Sequence, residues 1–195
     1  MKVVLASGNV HKCEEIAAVL PRDIELVTQT SLGIGSVPET GLTFVENAII
    51  KARHASSESG LAALADDSGI EVDYLRGAPG IYSARYSGDD ATDAANNEKL
   101  LRELEGVPAP QRTARFQCVI VFLRHALDPT PIIASGTWAG TVLTAPRGES
   151  GFGYDPLFYV PALGQTVAEL APEEKTHRSH RGQALARLCE ALGTR

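Results

Sequence analysis

The sequence predicts an α/β or α+β domain built on a mixed, partly antiparallel β-sheet. In the first half, strand-like and helix-like segments alternate, which is typical of parallel βαβ units. In the second half, two long segments rich in β-branched and aromatic residues, Arg115–Leu123 and Pro131–Val142, favour antiparallel strands. Hydrophobic residues make up 44% of the 195 residues, which is enough for the core of one large or two-lobed domain.

The first half contains three predicted strands and two predicted helices. The strands are Lys2–Ala6, Ile24–Val27 and Leu61–Ala65. The first helix has apolar residues at i, i+3, i+4 and i+7 from Cys13 and stops at Pro21. The second helix begins at the capping box Thr43–Glu46 and ends near Gly60.

The second half adds two further helices. Thr92 is the predicted cap of a helix that ends at Gly106. The segment Val107–Gln111 contains two prolines and is the predicted hinge between two lobes. Ser179 begins a last helix, whose leucines form one apolar stripe.

Composition limits the function and the compartment. With 18 Lys and Arg against 24 Asp and Glu, the formal charge is -6, which argues against binding of duplex nucleic acid. Cys13, Cys118 and Cys189 are far apart and without CxxC spacing, as expected of core residues in a reducing compartment. The apolar N-terminal run is too short for a signal peptide or a membrane span, so we expect a cytoplasmic protein with no membrane partner.

Two adjacent aspartates, Asp66 and Asp67, follow the strand predicted at Leu61–Ala65. At the end of a strand the chain turns, so both carboxylates could approach one site, and Mg²⁺ would relieve their repulsion. Site residues also gather at the carboxyl ends of α/β strands. The alternative is a plain Asp-Asp-Ser-Gly turn, and the pair alone favours a functional site only slightly.

The segment Ser7–Lys12 joins the first strand to the first helix. The unpaired N–H groups and positive dipole of a helix start suit a phosphate, and Lys12 adds a charge. From this segment alone an ordinary N-cap remains the favoured alternative. Lys51 shares a polar helix face with Asn47 and His54, and from this pattern alone a solvated face is the favoured alternative.

The glycine-rich segment Gly151–Pro156 places Phe152 and Tyr154 where exposed rings could stack on a base. The alternative is a hydrophobic anchor that pins the loop to the core. Further on, Lys175, Arg178, His180 and Arg181 gather at a helix start. Cations there oppose the helix dipole unless an anion or an electron-rich ring lies nearby, which favours a functional site.

Together these segments resemble the inosine triphosphate pyrophosphatases, also called XTP/dITP diphosphatases, over nearly the whole chain. The motifs are SGNVHK (7–12), ETGLTFVENAIIKA (39–52), ADDSG (65–69), GAPGIYSARYSG (77–88), GFGYDP (151–156) and SHRGQAL (179–185). The resemblance implies a Mg²⁺-dependent hydrolase that converts deaminated purine nucleoside triphosphates to the monophosphate and diphosphate and so cleanses the nucleotide pool. It also implies one domain over residues 1–195 with an elongated mixed sheet, flanking helices, two lobes around a central cleft, and a homodimer.

The resemblance also implies roles for residues in the matching motifs. Asp67 is the implied catalytic carboxylate and metal ligand, with Glu39 as second ligand and Asp66 in the outer shell. The implied contacts to the triphosphate and its surroundings are Ser7, Gly8, Asn9, Val10, His11, Lys12, Lys51 and Ser68. The implied base pocket comprises Phe152, Gly153, Tyr154, Asp155, Lys175, His180 and Arg181. Relatives often carry Asn or Ser within the stretch Thr176–Arg178, so the role of Arg178 stays open.

Three alternatives remain. The first is a pyrophosphatase acting on other modified triphosphates, such as pyrimidines, which the SHR and FGYD motifs disfavour. The second is a nucleotide sensor without catalysis, which the intact acidic set disfavours. The third is nucleic-acid binding, which the charge disfavours.

Overall fold

The computed structural model describes residues 1–193, which form a seven-stranded mixed sheet flanked by helices. The strands are β1 Lys2–Leu5, β2 Glu25–Thr28, β3 Ala62–Val72, β4 Thr113–Leu123, β5 Ile132–Val142, β6 Phe158–Val160 and β7 Gln165–Thr166. Their order in the sheet is β2-β1-β3-β4-β5-β6-β7. Strand β1 runs parallel to β2 and β3, whereas β6 is antiparallel to β5 and β7. The predicted fold class is therefore confirmed.

The helices begin largely where the sequence places their caps. They are α1 Val10–Val19, α2 Phe44–Ser59, α3 Asp93–Glu103, α4 Pro172–Arg178 and α5 His180–Gly193, with short 3₁₀ turns at Thr30–Leu32, Gly80–Arg85, Ala109–Gln111 and Val167–Glu169. The side chains of Asn9, Thr43 and Thr92 each accept a backbone N–H at a helix start. Gly60 ends α2 in the left-handed conformation that glycine favours. Among residues 1–193, no helix combines the length and hydrophobicity that a membrane crossing requires.

The chain divides into two compact units. The first comprises Met1–Asp67, Cys118–Gly136 and the segment from Ser179 onward, and the second comprises Ser68–Gln117 and Thr137–Arg178. The segment Val107–Gln111 lies inside the second unit, so its prediction as a hinge is wrong. Its prolines instead accompany a 3₁₀ turn just before β4.

The first unit has a separate core on each face of its sheet. On one face, Leu64 of β3 shares a buried cluster with Ile16 of α1 and Leu185 of α5. On the other face, Ala63 and Ala65 of β3 share a cluster with the alanines of α2. Side chains of a strand alternate between the two faces of the sheet. In the part of β3 that belongs to the first unit, even-numbered residues therefore face α1 and α5, and odd-numbered residues face α2.

The second unit has one continuous core. Its members include Ile70 of β3, Leu100 of α3, Phe116 of β4, Tyr154 and Phe158. The rings of Phe116 and Phe158 lie 4.3 Å apart. This core supports the loops that carry the second unit's candidate site residues.

Candidate active site

The aspartate pair lies inside strand β3, which runs on to Val72. The prediction that the strand ends at Ala65 is therefore wrong. Strand β1 ends at Leu5, opposite Leu64, so Asp66 and Asp67 lie just beyond the carboxyl end of the neighbouring parallel strand. Ligands of α/β sheets bind at such ends. The two residues are only 1% and 6% exposed, respectively.

The two carboxylates face opposite sides of the sheet. Because β3 continues through them, strand alternation directs Asp66 towards α1 and α5 and Asp67 towards α2. Their partners confirm this: Asp66 pairs with Lys12 of α1, and Asp67 pairs with Lys51 of α2. The expectation that both carboxylates approach one site at a chain turn is therefore wrong.

On the α2 side, three predicted site residues meet. The ammonium of Lys51 lies 2.8 Å from Oδ1 of Asp67 and 2.8 Å from Oε1 of Glu39. Asn47, one turn earlier on α2 and 0% exposed, accepts the N–H of Gly41 at 2.8 Å. The amide of Asn47 thereby fixes the segment that carries Glu39.

Asp67 has the properties of a base and of a metal ligand. Burial raises its pKa, and this effect outweighs the opposing charge of Lys51. A raised pKa makes the carboxylate a better proton acceptor. Its Oδ2 atom is buried and accepts no hydrogen bond from any residue in the described range 1–193. A buried carboxylate oxygen without a partner is costly in free energy, and a bound cation or a water molecule would satisfy it.

The donor set fits Mg²⁺. Within residues 1–193 no group of three or more His, Cys, Asp or Glu side chains could hold a metal ion. Mg²⁺ does not need such a cage, because it binds one or two carboxylates together with waters and substrate phosphates. Glu39 and Asp67 could supply these carboxylates, since both lie 2.8 Å from the same ammonium of Lys51 and so are held close together.

On the opposite side, Asp66 belongs to a network of buried charges. Its Oδ2 lies 3.2 Å from Nζ of Lys12 and 3.2 Å from a terminal nitrogen of Arg181. Arg181 also pairs with Glu15 of α1. Burial alone would raise the pKa of Asp66, but Lys12 and Arg181 prevail and hold it well below its usual range.

This network changes the interpretation of the SHR motif. Arg181 is 2% exposed, and it donates to Asp66 and Glu15. A contact between Arg181 and a base would require these bonds to be exchanged. Ser179 caps α5 by accepting the N–H of Gly182 at 3.0 Å, and His180 is the first residue of that helix.

The start of α1 is a well-formed cap. Asn9 accepts the N–H of Lys12 at 3.1 Å, and Ser7 accepts the N–H of Asn9 at 3.2 Å. Gly8, Asn9, Val10 and His11 are exposed. The alternative prediction of an ordinary N-cap is therefore confirmed. Because these residues are exposed, a ligand could still reach the helix start.

In the second unit, Phe152, Asp155 and Lys175 form a compact group. Lys175 donates to Asp155 at 2.8 Å, and its ammonium lies 4.5 Å from the centre of the Phe152 ring. Asp155 also accepts the N–H of Phe152 at 3.0 Å. The group therefore presents a half-buried ring next to a fixed cation.

Other residues of the predicted base site have different positions. Tyr154 is 4% exposed and donates its hydroxyl to the Ser83 carbonyl at 2.8 Å, so the prediction that its ring is exposed for stacking is wrong. It is the hydrophobic anchor of the loop. Arg178 is exposed and pairs with Glu174 at 3.1 Å within α4. Ser68 is half-buried within β3.

Comparisons with known proteins identify the family. A model of the Ham1 family matches residues 3–191. The chain belongs to the Ham1 family. It is similar to dITP/XTP pyrophosphatases of Escherichia coli (strain K12), at 59% identity over 192 residues, and of Photobacterium profundum, at 57%. Each match covers 98% of both chains.

Solved structures of Ham1 proteins have the same fold. The structure of a Ham1 protein from Coxiella burnetii superposes with a TM-score of 0.94 at 48% identity, covering 100% of both chains. The Ham1 protein of Staphylococcus aureus superposes with a TM-score of 0.89 at 40% identity, covering 100% of this chain and 99% of the other.

Sequence reasoning missed several polar residues of this Ham1 chain. Glu15 pairs with the buried Arg181, and its position on α1 one turn after Lys12 was the available signal. Asp93 and Asn97 of α3 bind the backbone of Gly153. Asparagine is a poor residue for a helix interior, so the adjacent Asn96 and Asn97 within α3 were a signal that these side chains have other partners.

Proposed function

We propose that this chain hydrolyses deaminated purine nucleoside triphosphates, such as dITP and XTP, to the monophosphate and diphosphate. The observation that carries the proposal is Asp67, a buried carboxylate with a raised pKa and an unpartnered Oδ2 beside Lys51 and Glu39. The similarity to dITP/XTP pyrophosphatases supports the choice of substrate. Such an enzyme removes these nucleotides before they enter DNA and RNA.

The proposed triphosphate contacts lie in the first unit. Residues Ser7–Lys12 offer the exposed start of α1, where the helix dipole favours an anion. Lys51 contacts the reacting carboxylate of Asp67, and Lys12 contacts the adjacent Asp66. Their charges would offset the negative charge that develops on the phosphoryl oxygens.

Asp67 is the proposed general base. Its carboxylate would accept the proton of the attacking water, and the contact with Lys51 holds Oδ1 so that Oδ2 remains available. Glu39 and Asp67 would hold Mg²⁺. When bound, the ion would neutralise negative charge on the phosphate oxygens. Asp66 has a supporting role, because Lys12 and Arg181 both contact its Oδ2 atom and neutralise its charge.

The proposed base contacts use the ring of Phe152 for stacking and the ammonium of Lys175 as a polar neighbour. His180 stays the predicted donor to the carbonyl at ring position six, which hypoxanthine and xanthine carry and adenine lacks. Guanine has this carbonyl, but its amine at position two would be left unpaired. Unsatisfied groups of this kind can discriminate by up to about ten-thousandfold.

The test is a panel of ITP, dITP, XTP, ATP and GTP, with the products resolved as mono- or diphosphates and diphosphate release measured. We expect the inosine and xanthosine nucleotides to react far faster than ATP and GTP. Equal rates with ATP would contradict the proposed specificity. Tight nucleotide binding without any product would instead indicate a sensor.

The remaining expectations from the family resemblance are part of the proposal. They are a single two-lobed domain over residues 1–195, a homodimer and a cytoplasmic location. Light scattering coupled to size-exclusion chromatography tests the dimer directly, because a monomer mass at micromolar concentration would contradict it.

A further inference from the structure

The proposed function leaves two parts of the second unit without a role. One is the motif GAPGIYSARYSG at positions 77–88, and the other is helix α3. Polar side chains in the first half of α3 bind both this motif and the loop that carries Phe152. These contacts suggest what α3 contributes to the base site.

Two residues of α3 hold the backbone of Gly153 from both sides. Oδ2 of Asp93 accepts the N–H of Gly153 at 2.6 Å, and the side-chain amide of Asn97 donates to the Gly153 carbonyl at 2.8 Å. Asp93 and Asn97 are four residues apart, so they lie on the same face of the helix. Gly153 itself has a φ of +62°, a conformation that other residues rarely adopt.

The residues on either side of Gly153 are fixed as well. Phe152 donates its N–H to Asp155, and the same carboxylate oxygen accepts from Lys175 at 2.8 Å. Tyr154 donates its hydroxyl to the carbonyl of Ser83. Gly153 is the backbone link between these two anchored residues, so a shift of Gly153 would be transmitted directly to Phe152.

Helix α3 also holds Ser83, the residue that anchors Tyr154. The side-chain amide of Asn96 donates to the Ser83 carbonyl at 3.3 Å, and its oxygen accepts the N–H of Ser87 at 2.8 Å. The hydroxyl of Ser83 accepts the N–H of Ile70 at 2.9 Å and donates to the carbonyl of Gly80 at 2.6 Å. One helix thus fixes both loops against β3.

We propose that Asp93 and Asn97 are positioning residues for base recognition, because they hold Gly153 so that the Phe152 ring and the Lys175 ammonium keep their relative placement. The inference rests on the proposed function, in which this ring stacks on the base. The hydrogen bonds of Asp93 and Asn97 to Gly153 lie within the second unit, whereas Asp67 belongs to the first. Their loss should therefore weaken substrate binding and selectivity while the chemical step is largely preserved.

The unsatisfied side-chain oxygen of Asn97 argues against a purely structural role for this residue. Its Oδ1 atom is buried and has no hydrogen-bond partner in the part of the chain that the structure describes. A buried unsatisfied oxygen is destabilising, and asparagine lowers helix propensity. For stability alone, alanine would serve better within α3. The contact with Gly153 is what asparagine contributes there.

The first test is Asn97→Ala with ITP as substrate. We expect the KM for ITP to rise about fivefold, the effect of one lost hydrogen bond, with kcat changed less than twofold and thermal stability unchanged or higher. Asn97→Asp should raise the KM further, because it places a carboxylate against the Gly153 carbonyl. An unchanged KM for ITP in both variants would overturn the proposal.

A second pair of variants separates positioning from helix stabilisation. Asp93→Ala removes both the acceptor for Gly153 and a charge that favours the helix start. Asp93→Asn removes the charge but keeps an acceptor oxygen. We expect Asp93→Ala to raise the KM for ITP. Asp93→Asn should keep a KM close to that of the wild type although its thermal stability is also reduced. If KM followed stability in both variants, Asp93 would be structural only and the proposal would be wrong.

Two control variants show which assumption is wrong if the expected KM changes are not observed. The exposed Asp90 precedes α3, and Asp90→Ala should leave the KM for ITP unchanged. Phe152→Ala should raise the KM by more than any α3 variant. If Phe152→Ala raises it and the α3 variants do not, the positioning role alone is overturned. If Phe152→Ala has no effect, the assignment of Phe152 to the base is wrong, and the inference falls with it.

Discussion

At the residue scale, Asp66 and Asp67 are chemically identical neighbours with opposite environments. Asp66 is neutralised by two cations, and its pKa is held low. Asp67 shares one ammonium with Glu39, and burial raises its pKa. The same substitution at the two positions should therefore have different effects.

Asp67→Asn should reduce turnover of ITP by roughly a hundredfold or more, the scale of a lost general base. Asparagine keeps the shape but accepts a proton poorly and is a weaker metal ligand, so nucleotide binding should be largely retained. Steady-state kinetics and calorimetric titration with ITP measure the two effects. Near-normal turnover would remove Asp67 from the mechanism.

Asp66→Asn should mainly reduce stability, by about 3–5 kcal/mol, because it leaves buried cations without their partner. The folded pKa of Asp66 lies below the unfolded value of about 3.9, so the stabilisation is present above that value and is lost as pH falls through the folded pKa. Urea unfolding at pH 7 and near pH 3 should show a smaller difference between variant and wild type at the lower pH. A constant difference would contradict the charge assignment.

At the scale of elements, helix caps were predictable and the length of β3 was not. Asn9, Thr43 and Thr92 bind nearby backbone groups, so a short stretch of sequence contains the whole signal. Asp66 and Asp67 are poor strand residues, and the strand continues through them because its neighbours in the sheet and its partner charges stabilise it. Those partners, on α1, α2 and α5, are distant in sequence and leave no local pattern.

The contact between β5 and α5 gives a prediction at this scale. A Cβ atom on Gly136 would lie 2.0 Å from the backbone oxygen of His180. Gly136→Ala should therefore displace the start of α5 and lower stability by about 1–3 kcal/mol or more, with loss of activity. Gly35, where a Cβ meets nothing within 4 Å, provides the control Gly35→Ala. Equal unfolding free energies for the two variants would contradict the close contact.

At the scale of the whole molecule, the fold class and the family were predictable from motif order and from the alternation of strands and helices. The site was predictable only in part. Glu39, Lys51 and Asp67 meet as expected, whereas the burial of Arg181 and Tyr154 depends on tertiary packing. A motif shows which residue types are present, but it does not show which partner each side chain takes.

The proposed metal dependence is tested on the whole enzyme. Chelation with EDTA should abolish hydrolysis of ITP, and Mg²⁺ should restore it. Because binding to the folded state alone stabilises it, Mg²⁺ with a non-hydrolysable ITP analogue should raise the Tm, and Glu39→Gln should diminish that rise. Full activity after exhaustive chelation would contradict the proposed metal dependence. A rise in Tm as large in Glu39→Gln as in the wild type would contradict the proposed ligand Glu39.

The ion pair between Lys12 and Asp66 has a consequence for how a polyanion is accepted. A triphosphate bound at the start of α1, as proposed, would compete with Asp66 for the same ammonium, so Lys12 would be a shared counter-ion. Arg181 also contacts Asp66, so Lys12 could turn to the phosphates without leaving this buried carboxylate unpaired. Lys12→Ala should therefore weaken calorimetric binding of ITP far more than binding of inosine, and destabilise the fold less than Arg181→Ala. Equal losses for the two ligands would mean that Lys12 serves Asp66 alone.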